Sequence, residues 1–240
     1  MIEGTLPLLV VVVGFAAGVI RGFAGFGGPA FIIAVLTWFM SPVDVIDKVL
    51  VIEIFVGAYL VWEVRKRIDW RTTAALSIPV FMGMPFGHWL LLNTNADLMG
   101  RVIAGLILLA SIIMLCDIRL KARYSTPVLM AIGLVGGVIF GASYIALVLV
   151  AMVLMAPYDR SEVRTLFFVS GFLMACWFLI LSVHHGQASF QKVVAAIPLM
   201  LGYLAGCRLG SRLFQGSTET NYRRYALYLL GALAVVGLIR

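Results

Sequence analysis

The chain has 240 residues, of which 62% are hydrophobic and only 12% charged, with a formal net charge of +7. A soluble domain carries about 25% charged side chains, so a water-soluble globule is excluded. The basic excess does not mark a nucleic-acid binder, because Lys and Arg sit in gaps between apolar stretches and form no continuous face; they orient membrane spans instead.

Crossing a bilayer takes roughly 20 apolar residues in a helix, and such stretches fill the sequence from end to end. The first follows Met1-Ile2-Glu3, which lacks the positive head of a cleavable signal, and is expected to stay in the mature protein. From Leu6 to Met40 the chain is almost wholly apolar, too long for one straight span at about 1.5 Å per residue. Gly22, Gly25, Gly27, Gly28 and Pro29 interrupt it, which predicts a break and a hairpin over 6–40. Helices follow at 45–63, 72–92 and 99–116. A second long stretch from Val128 to Ala156 carries Gly133, Gly136, Gly137 and Gly141 and predicts a second hairpin over 127–156. Helices at 162–182, 191–209 and 223–239 complete the series. Cys116, Cys176 and Cys207, odd in number and all within or at the ends of apolar stretches, read as small core residues rather than a disulfide framework.

A shift of roughly 115 positions lays the two halves over each other. Gly18 then meets Gly133, Gly22 meets Gly137, Pro42 meets Pro157, Asp44 meets Asp159, Asp47 meets Glu162 and Trp62 meets Trp177. With a few extra loop residues, Pro79, Gly83 and Gly87 meet Pro198, Gly202 and Gly206, and Arg101 meets Arg224. This ordered series predicts an internal duplication. Cytoplasmic loops are rich in Lys and Arg, so Arg65, Lys66, Arg67 and Arg71, then Arg119, Lys121 and Arg123, and finally Arg208, Arg212, Arg223 and Arg224, mark inside segments. Counting spans between them leaves each hairpin with no net crossing, and the halves therefore run in opposite senses, the plan of many secondary transporters. The expected fold is an all-α integral membrane protein of two inverted repeats, each a broken or re-entrant helical hairpin followed by three transmembrane helices. The first repeat covers 1–116, a cytoplasmic linker 117–126 and the second repeat 127–240.

Backbone groups freed by a break at membrane depth persist where they line a cavity, which makes the hairpin tips the candidate site. The first tip reads Arg21-Gly22-Phe23-Ala24-Gly25-Phe26-Gly27-Gly28-Pro29, the second Gly141-Ala142-Ser143-Tyr144. Proline suits the first turn of a helix, and a helix N-terminus presents unpaired N–H donors and about half a positive charge, which suits an anion. Arg21, Gly25, Gly27, Gly28, Gly141, Ala142, Ser143 and Tyr144 are the expected substrate contacts, the two tips facing each other across the anion. Taken singly, glycines in apolar helices more often serve close packing. A cation in hydrocarbon costs at least about 2.5 kcal/mol; Arg21 is therefore either a substrate ligand or half of a structural pair with Glu53, and Glu53 is equally a candidate proton carrier. His88 reads as a proton relay, a substrate donor or a packing residue. Asp44, Asp47, Asp159 and Glu162 follow prolines and read as helix-start residues rather than metal ligands. The adjacent His184-His185 lacks a further ligand set, and neither metal nor cofactor is expected. The implied partners are a small anion and the lipid bilayer, with room left for a homodimer.

The pattern resembles the sulfite exporter TauE/SafE family, also called the four-toluene sulfonate uptake permease family. Gly18, Gly22, Gly25, Gly27 and Gly28 carry the resemblance, with Gly133, Gly137 and Gly141 as a weaker counterpart, and Pro79, Gly83, Gly87, Pro198, Gly202 and Gly206 in support. The resemblance implies a multi-pass permease of the bacterial inner membrane for sulfite, sulfonates such as sulfoacetate, or related sulfur or carboxylate anions. The chain departs from the family motif at Pro29, where a third glycine is usual, and at Ala142-Ser143, where paired glycines are. Members are commonly drawn with about eight spans, each long segment counted as one crossing, whereas the charge pattern here counts each as a hairpin. A passive anion channel, or a membrane-embedded enzyme or assembly factor, are the rival readings. Against the enzyme stand the absence of a zinc-protease motif, a nucleophile elbow and carboxylates clustered away from helix starts.

Overall fold

A computed structural model describes residues 2–40, 42–94, 120–143, 146–184 and 190–218, together with 222 and 228. Every element among them is helical: α1 (Ile2–Ala24), α2 (Gly28–Leu36), α3 (Pro42–Val64), a 3-10 turn (Arg65–Arg67), α4 (Trp70–Asn93), α5 (Thr126–Ser143), α6 (Leu147–Met155), α7 (Arg160–His184) and α8 (Phe190–Gln215). The expected helices 99–116 and 223–239 lie outside the described residues. Two helical stretches among those described, Arg160–Ile180 and Val193–Gln215, are long and apolar enough to cross a membrane on length and composition.

Both predicted breaks are present. α1 ends at Ala24 and α2 begins at Gly28, while α5 ends at Ser143 and α6 begins at Leu147. The helices on either side of each break are unequal: α2 and α6 have nine residues each, against 23 in α1 and 18 in α5. Nine residues rise about 13 Å, less than half of a hydrocarbon core of about 30 Å. α8 runs to Gln215, past the expected end at 209, so Arg212 stands on a helix rather than in a loop. Gly206 and Gly210 continue its contact with α1 there, and the Arg208 guanidinium lies 5.9 Å from the Tyr59 ring centre.

The chain gathers into two compact units, residues 1–67 with 167–223 and residues 68–166 with 224–240, each drawing on both halves of the sequence. In the first unit α1 lies along α8. Gly14, Gly18 and Gly22, one turn apart, face the backbone of Leu199, Tyr203 and Cys207, while Gly202, Gly206 and Gly210 return the contact against Val11, Phe15 and Val19. A Cβ added at any of the six would collide with main-chain atoms of the other helix. Around this seam Val13, Ala17, Ile32, Leu36, Val45, Ile52, Val56, Leu60, Phe168 and Leu199 form the core.

In the second unit α4 and α5 pack in the same manner. Gly133, Gly137 and Gly141 face Leu76, Val80 and Met84, and Gly83 and Gly87 face Leu134, Val138 and Ala142. α4 begins two residues before the expected start because Asp69 caps it, accepting from the amides of Arg71 (3.0 Å) and Thr72 (3.3 Å) and from the Thr72 hydroxyl (2.6 Å). The segment before α5 is tied to the end of α6, where Leu120 N donates to Met155 O and Tyr124 Oη to Met152 O. These bonds occupy terminal carbonyls that have no intrahelical partner.

Gly206→Val forces a branched side chain into the α1 backbone and is expected to lower stability by about 1–3 kcal/mol or more, read as a drop in the melting temperature of the detergent-solubilised protein. Gly216→Ala, whose Cβ would meet only Leu213 O at 3.8 Å, is expected to leave the melting temperature unchanged. Asp69→Ala removes the cap and is expected to cost about 1 kcal/mol. The hydrogen bond from Thr72 holds the Asp69 carboxyl below its usual range. Its contribution is therefore present above about pH 4 and fades as pH falls through the lowered value, so wild type and Asp69→Ala should converge in acid.

Candidate functional site

At the first break the chain must leave a helix and enter another within three residues. Gly25 (φ 90°) and Gly27 (φ 83°) take the left-handed conformation that side chains other than glycine rarely adopt. Gly25 N donates to Arg21 O, which closes α1 with a left-handed cap. Phe26, between the two glycines, turns inward, buried against Phe167 with ring centres 5.6 Å apart. On the α1 side, Tyr222 Oη donates to Ala24 O at 2.7 Å from an aromatic trio with Phe23 and Phe214. α2 starts with Pro29 in its first turn and Gly27 as its cap residue, with no side chain accepting from its first amides. Pro29 carries no N–H and the Phe31 amide donates to Gly27 O, which leaves the Gly28 and Ala30 amides without an intrahelical acceptor.

Arg21 stands in the last turn of α1, directly below this break. It is 4% exposed and Glu53 of α3 is 8% exposed. Arg21 Nη2 donates to Glu53 Oε2 at 2.8 Å and, more weakly, to Phe167 O at 3.4 Å; Nη1 donates to Gly25 O at 2.7 Å. The guanidinium carbon lies 5.6 Å from the Phe168 ring centre. Nε is buried without a hydrogen-bond partner among the described residues. The other carboxylate oxygen, Glu53 Oε1, accepts from Tyr203 Oη at 3.0 Å, and Tyr203 is fully buried. Two glycines make room for this cluster: a Cβ on Gly171 would strike Arg21 Nη2, and one on Gly28 would strike the Tyr203 hydroxyl.

The arrangement therefore brings together Arg21, Gly25, Gly27, Gly28 and Glu53. Tyr203 joins them, although sequence reasoning passed over it. A lone tyrosine in an apolar helix is a weak signal, and only the fold delivers its hydroxyl to a carboxylate 150 residues away. The second cluster belongs to the other unit. There Gly141 packs on Met84, Ala142 is buried, and His88 is half-buried on α4. The side chain of Ser143 and all of Tyr144 lie outside the described residues. Among the described residues no three His, Cys, Asp or Glu side chains gather to hold a metal ion.

Chemically, the first cluster is a sealed cation whose counter-charge is shared with a phenol, set beside a helix start with free amide donors. Removing one charge leaves the other buried alone, at a cost of about 3–5 kcal/mol. Glu53→Leu or Arg21→Met alone is expected to lose stability of that order, and the double variant to regain most of it, as measured by thermal unfolding in detergent.

A family model described as Sulfite exporter TauE/SafE matches residues 10–237, nearly the whole chain. No curated protein and no solved structure matches it. The chain belongs to the sulfite exporter TauE/SafE family, and that membership makes it a membrane transporter of sulfur-containing anions.

Proposed function

We propose that this member of the sulfite exporter family is a secondary transporter of a small anion: sulfite, an organosulfonate such as sulfoacetate, or a related sulfur or carboxylate anion. The anion binds at the glycine-rich helix breaks near the bilayer midplane and moves by alternating access in a multi-pass protein of a bacterial-type inner membrane. The observation that carries this reading is the buried guanidinium of Arg21 beside the Gly25–Gly27 turn and the uncapped start of α2. A fixed cation and unpaired amides at membrane depth suit an oxyanion. Gly25, Gly27, Gly28, Gly141, Ala142, Ser143 and Tyr144 are the further proposed contacts, with Glu53 and His88 as the groups able to exchange protons.

The proposed architecture is two inverted repeats, 1–116 and 127–240, joined by a cytoplasmic linker. Its support is the recurrence of the same devices: a glycine seam against a proline-containing helix, then a break, then a nine-residue helix without a side-chain cap. If Pro79, Gly83 and Gly87 are matched to Pro198, Gly202 and Gly206, their packing partners match Gly14 and Gly18 to Gly137 and Gly141. The sequence shift instead matched Gly18 and Gly22 to Gly133 and Gly137. Glycines repeating every fourth residue overlay equally well after a slip of about two turns, so spacing alone does not fix the register.

Flux into proteoliposomes tests the function. Saturable uptake and counterflow of at least one of sulfite, sulfoacetate, sulfate and lactate is expected, and Arg21→Ala should reduce it at least tenfold, the loss of one charge-assisted contact or more. Normal flux through a correctly folded Arg21→Ala protein would remove the proposed site.

A further inference from the structure

We infer that Glu53 and the transported anion are alternative partners of Arg21, so that the anion crosses together with a proton carried on Glu53. This inference rests on the anion-transport reading of the same cluster. Guanidinium geometry places the Nε–H beside the Nη2 amino group on one fork-shaped edge, which two oxygens of a carboxylate or sulfonate fit side by side. In this protein Glu53 bonds Nη2 alone, and Nε is buried without a partner among the described residues. An oxyanion that took both donors would displace Glu53 Oε2.

Charge then sets the coupling. With Glu53 ionised and no anion, the pair is neutral. With the anion on Arg21 and a proton on Glu53, the cluster is neutral again. The two half-loaded combinations carry a buried net charge: minus one if the anion enters beside ionised Glu53, plus one if Glu53 is protonated with no anion. Uncompensated charge at membrane depth is strongly disfavoured, so the half-loaded forms are scarce and proton and anion move as a pair. The proton arrives from water at Glu53 Oε2 as the Arg21 Nη2–H···Oε2 bond breaks, and Nη2–H, still on the guanidinium, donates to the anion instead. On release the proton leaves to water and the carboxylate retakes Arg21. One proton accompanies each monoanion, and no net charge crosses.

Tyr203 is the positioning residue. Its hydroxyl donates to Oε1 and rests against Gly28, so the carboxyl keeps its place while Oε2 changes partners. Among the described residues the ionisable groups bonded to the carboxylate are Arg21 from α1 and Tyr203 from α8, with buried Cys207 one turn beyond Tyr203. α2 carries no ionisable side chain, and α7 presents Phe167, Phe168 and Gly171.

The test uses methanesulfonate, which stays a monoanion across the working pH range, so any proton that moves is carried by the protein. In wild-type proteoliposomes with voltage clamped at zero, an inward proton gradient should accumulate methanesulfonate up to the gradient's own ratio, about tenfold per pH unit. In Glu53→Gln that accumulation should vanish and exchange should lose its pH dependence. Binding gives a second readout in detergent. Methanesulfonate should raise the melting temperature of wild type more as pH falls, and that of Glu53→Gln equally at every pH, because the anion supplies the missing counter-charge. In Tyr203→Phe the loss of a donor to the ionised carboxylate should move the pH profile of transport to higher pH by about one unit. Proton-driven accumulation by Glu53→Gln, or voltage-sensitive uptake without protons by wild type, overturns the coupling. An unmoved profile in Tyr203→Phe overturns the role of that residue. Absence of saturable flux of methanesulfonate, sulfite and sulfoacetate by wild type overturns the transport reading itself, which is a distinct failure.

Discussion

The close approach of backbones along α1 and α8 is the constraint on which the first unit depends. Between helices in lipid the hydrophobic drive of water is absent, so association relies on dense van der Waals contact, and glycine permits it. Gly18 and Gly22 meet the main chain of Tyr203 and Cys207, and Gly206 and Gly210 meet that of Phe15 and Val19. Because the glycines interlock from both sides, the helices have little freedom to slide. That fixed register sets the height of the Tyr203 side chain, and Gly28 leaves just enough room for its hydroxyl to reach Glu53. Packing thus reaches the polar cluster through a short chain of contacts.

The ion pair does not follow from stability. Buried pairs replaced by apolar groups of similar volume are often neutral or more stable, and the surrounding positions, Ala17, Ile52 and Phe168, show that the core can be filled with hydrocarbon. A guanidinium here also requires a glycine at 171 to admit it and a carbonyl at Gly25 to orient it. The same Gly25 carbonyl belongs to the left-handed turn that ends α1. The cation and the helix break are therefore one structural feature, and a change in Arg21's partners bears directly on the turn.

Much of this was legible in the sequence. Clustered glycines with Pro29 marked the first break at its observed place, and two charged residues amid hydrocarbon, Arg21 and Glu53, suggested each other. What was not legible has physical reasons. Helix ends moved where a cap or a continuing glycine seam outweighed the charge signal, as at Asp69 and beyond Arg208. The unequal helix lengths on either side of each break were hidden because hydropathy is the same on both sides. The role of Tyr203 depends on which face of α8 meets α1, and that rests on backbone contact rather than side-chain type.

Under the duplicated plan the two clusters are chemically unequal, and the inequality is informative. Matching packing partners places Met84 where the first cluster has Tyr203, and His88 where it has Cys207. The residue matched to Arg21 in that register is Tyr144, a neutral side chain in the sequence. Where the first cluster has the cation of Arg21, the matched position of the second is thus a neutral residue. A site with one arginine and one carboxylate can hold a monoanion and a proton without leaving net charge in hydrocarbon, whereas two arginines would demand a second counter-ion in every empty state. Under the proposed duplication, a neutral residue at the position matched to Arg21 concentrates the proposed anion recognition at the first break.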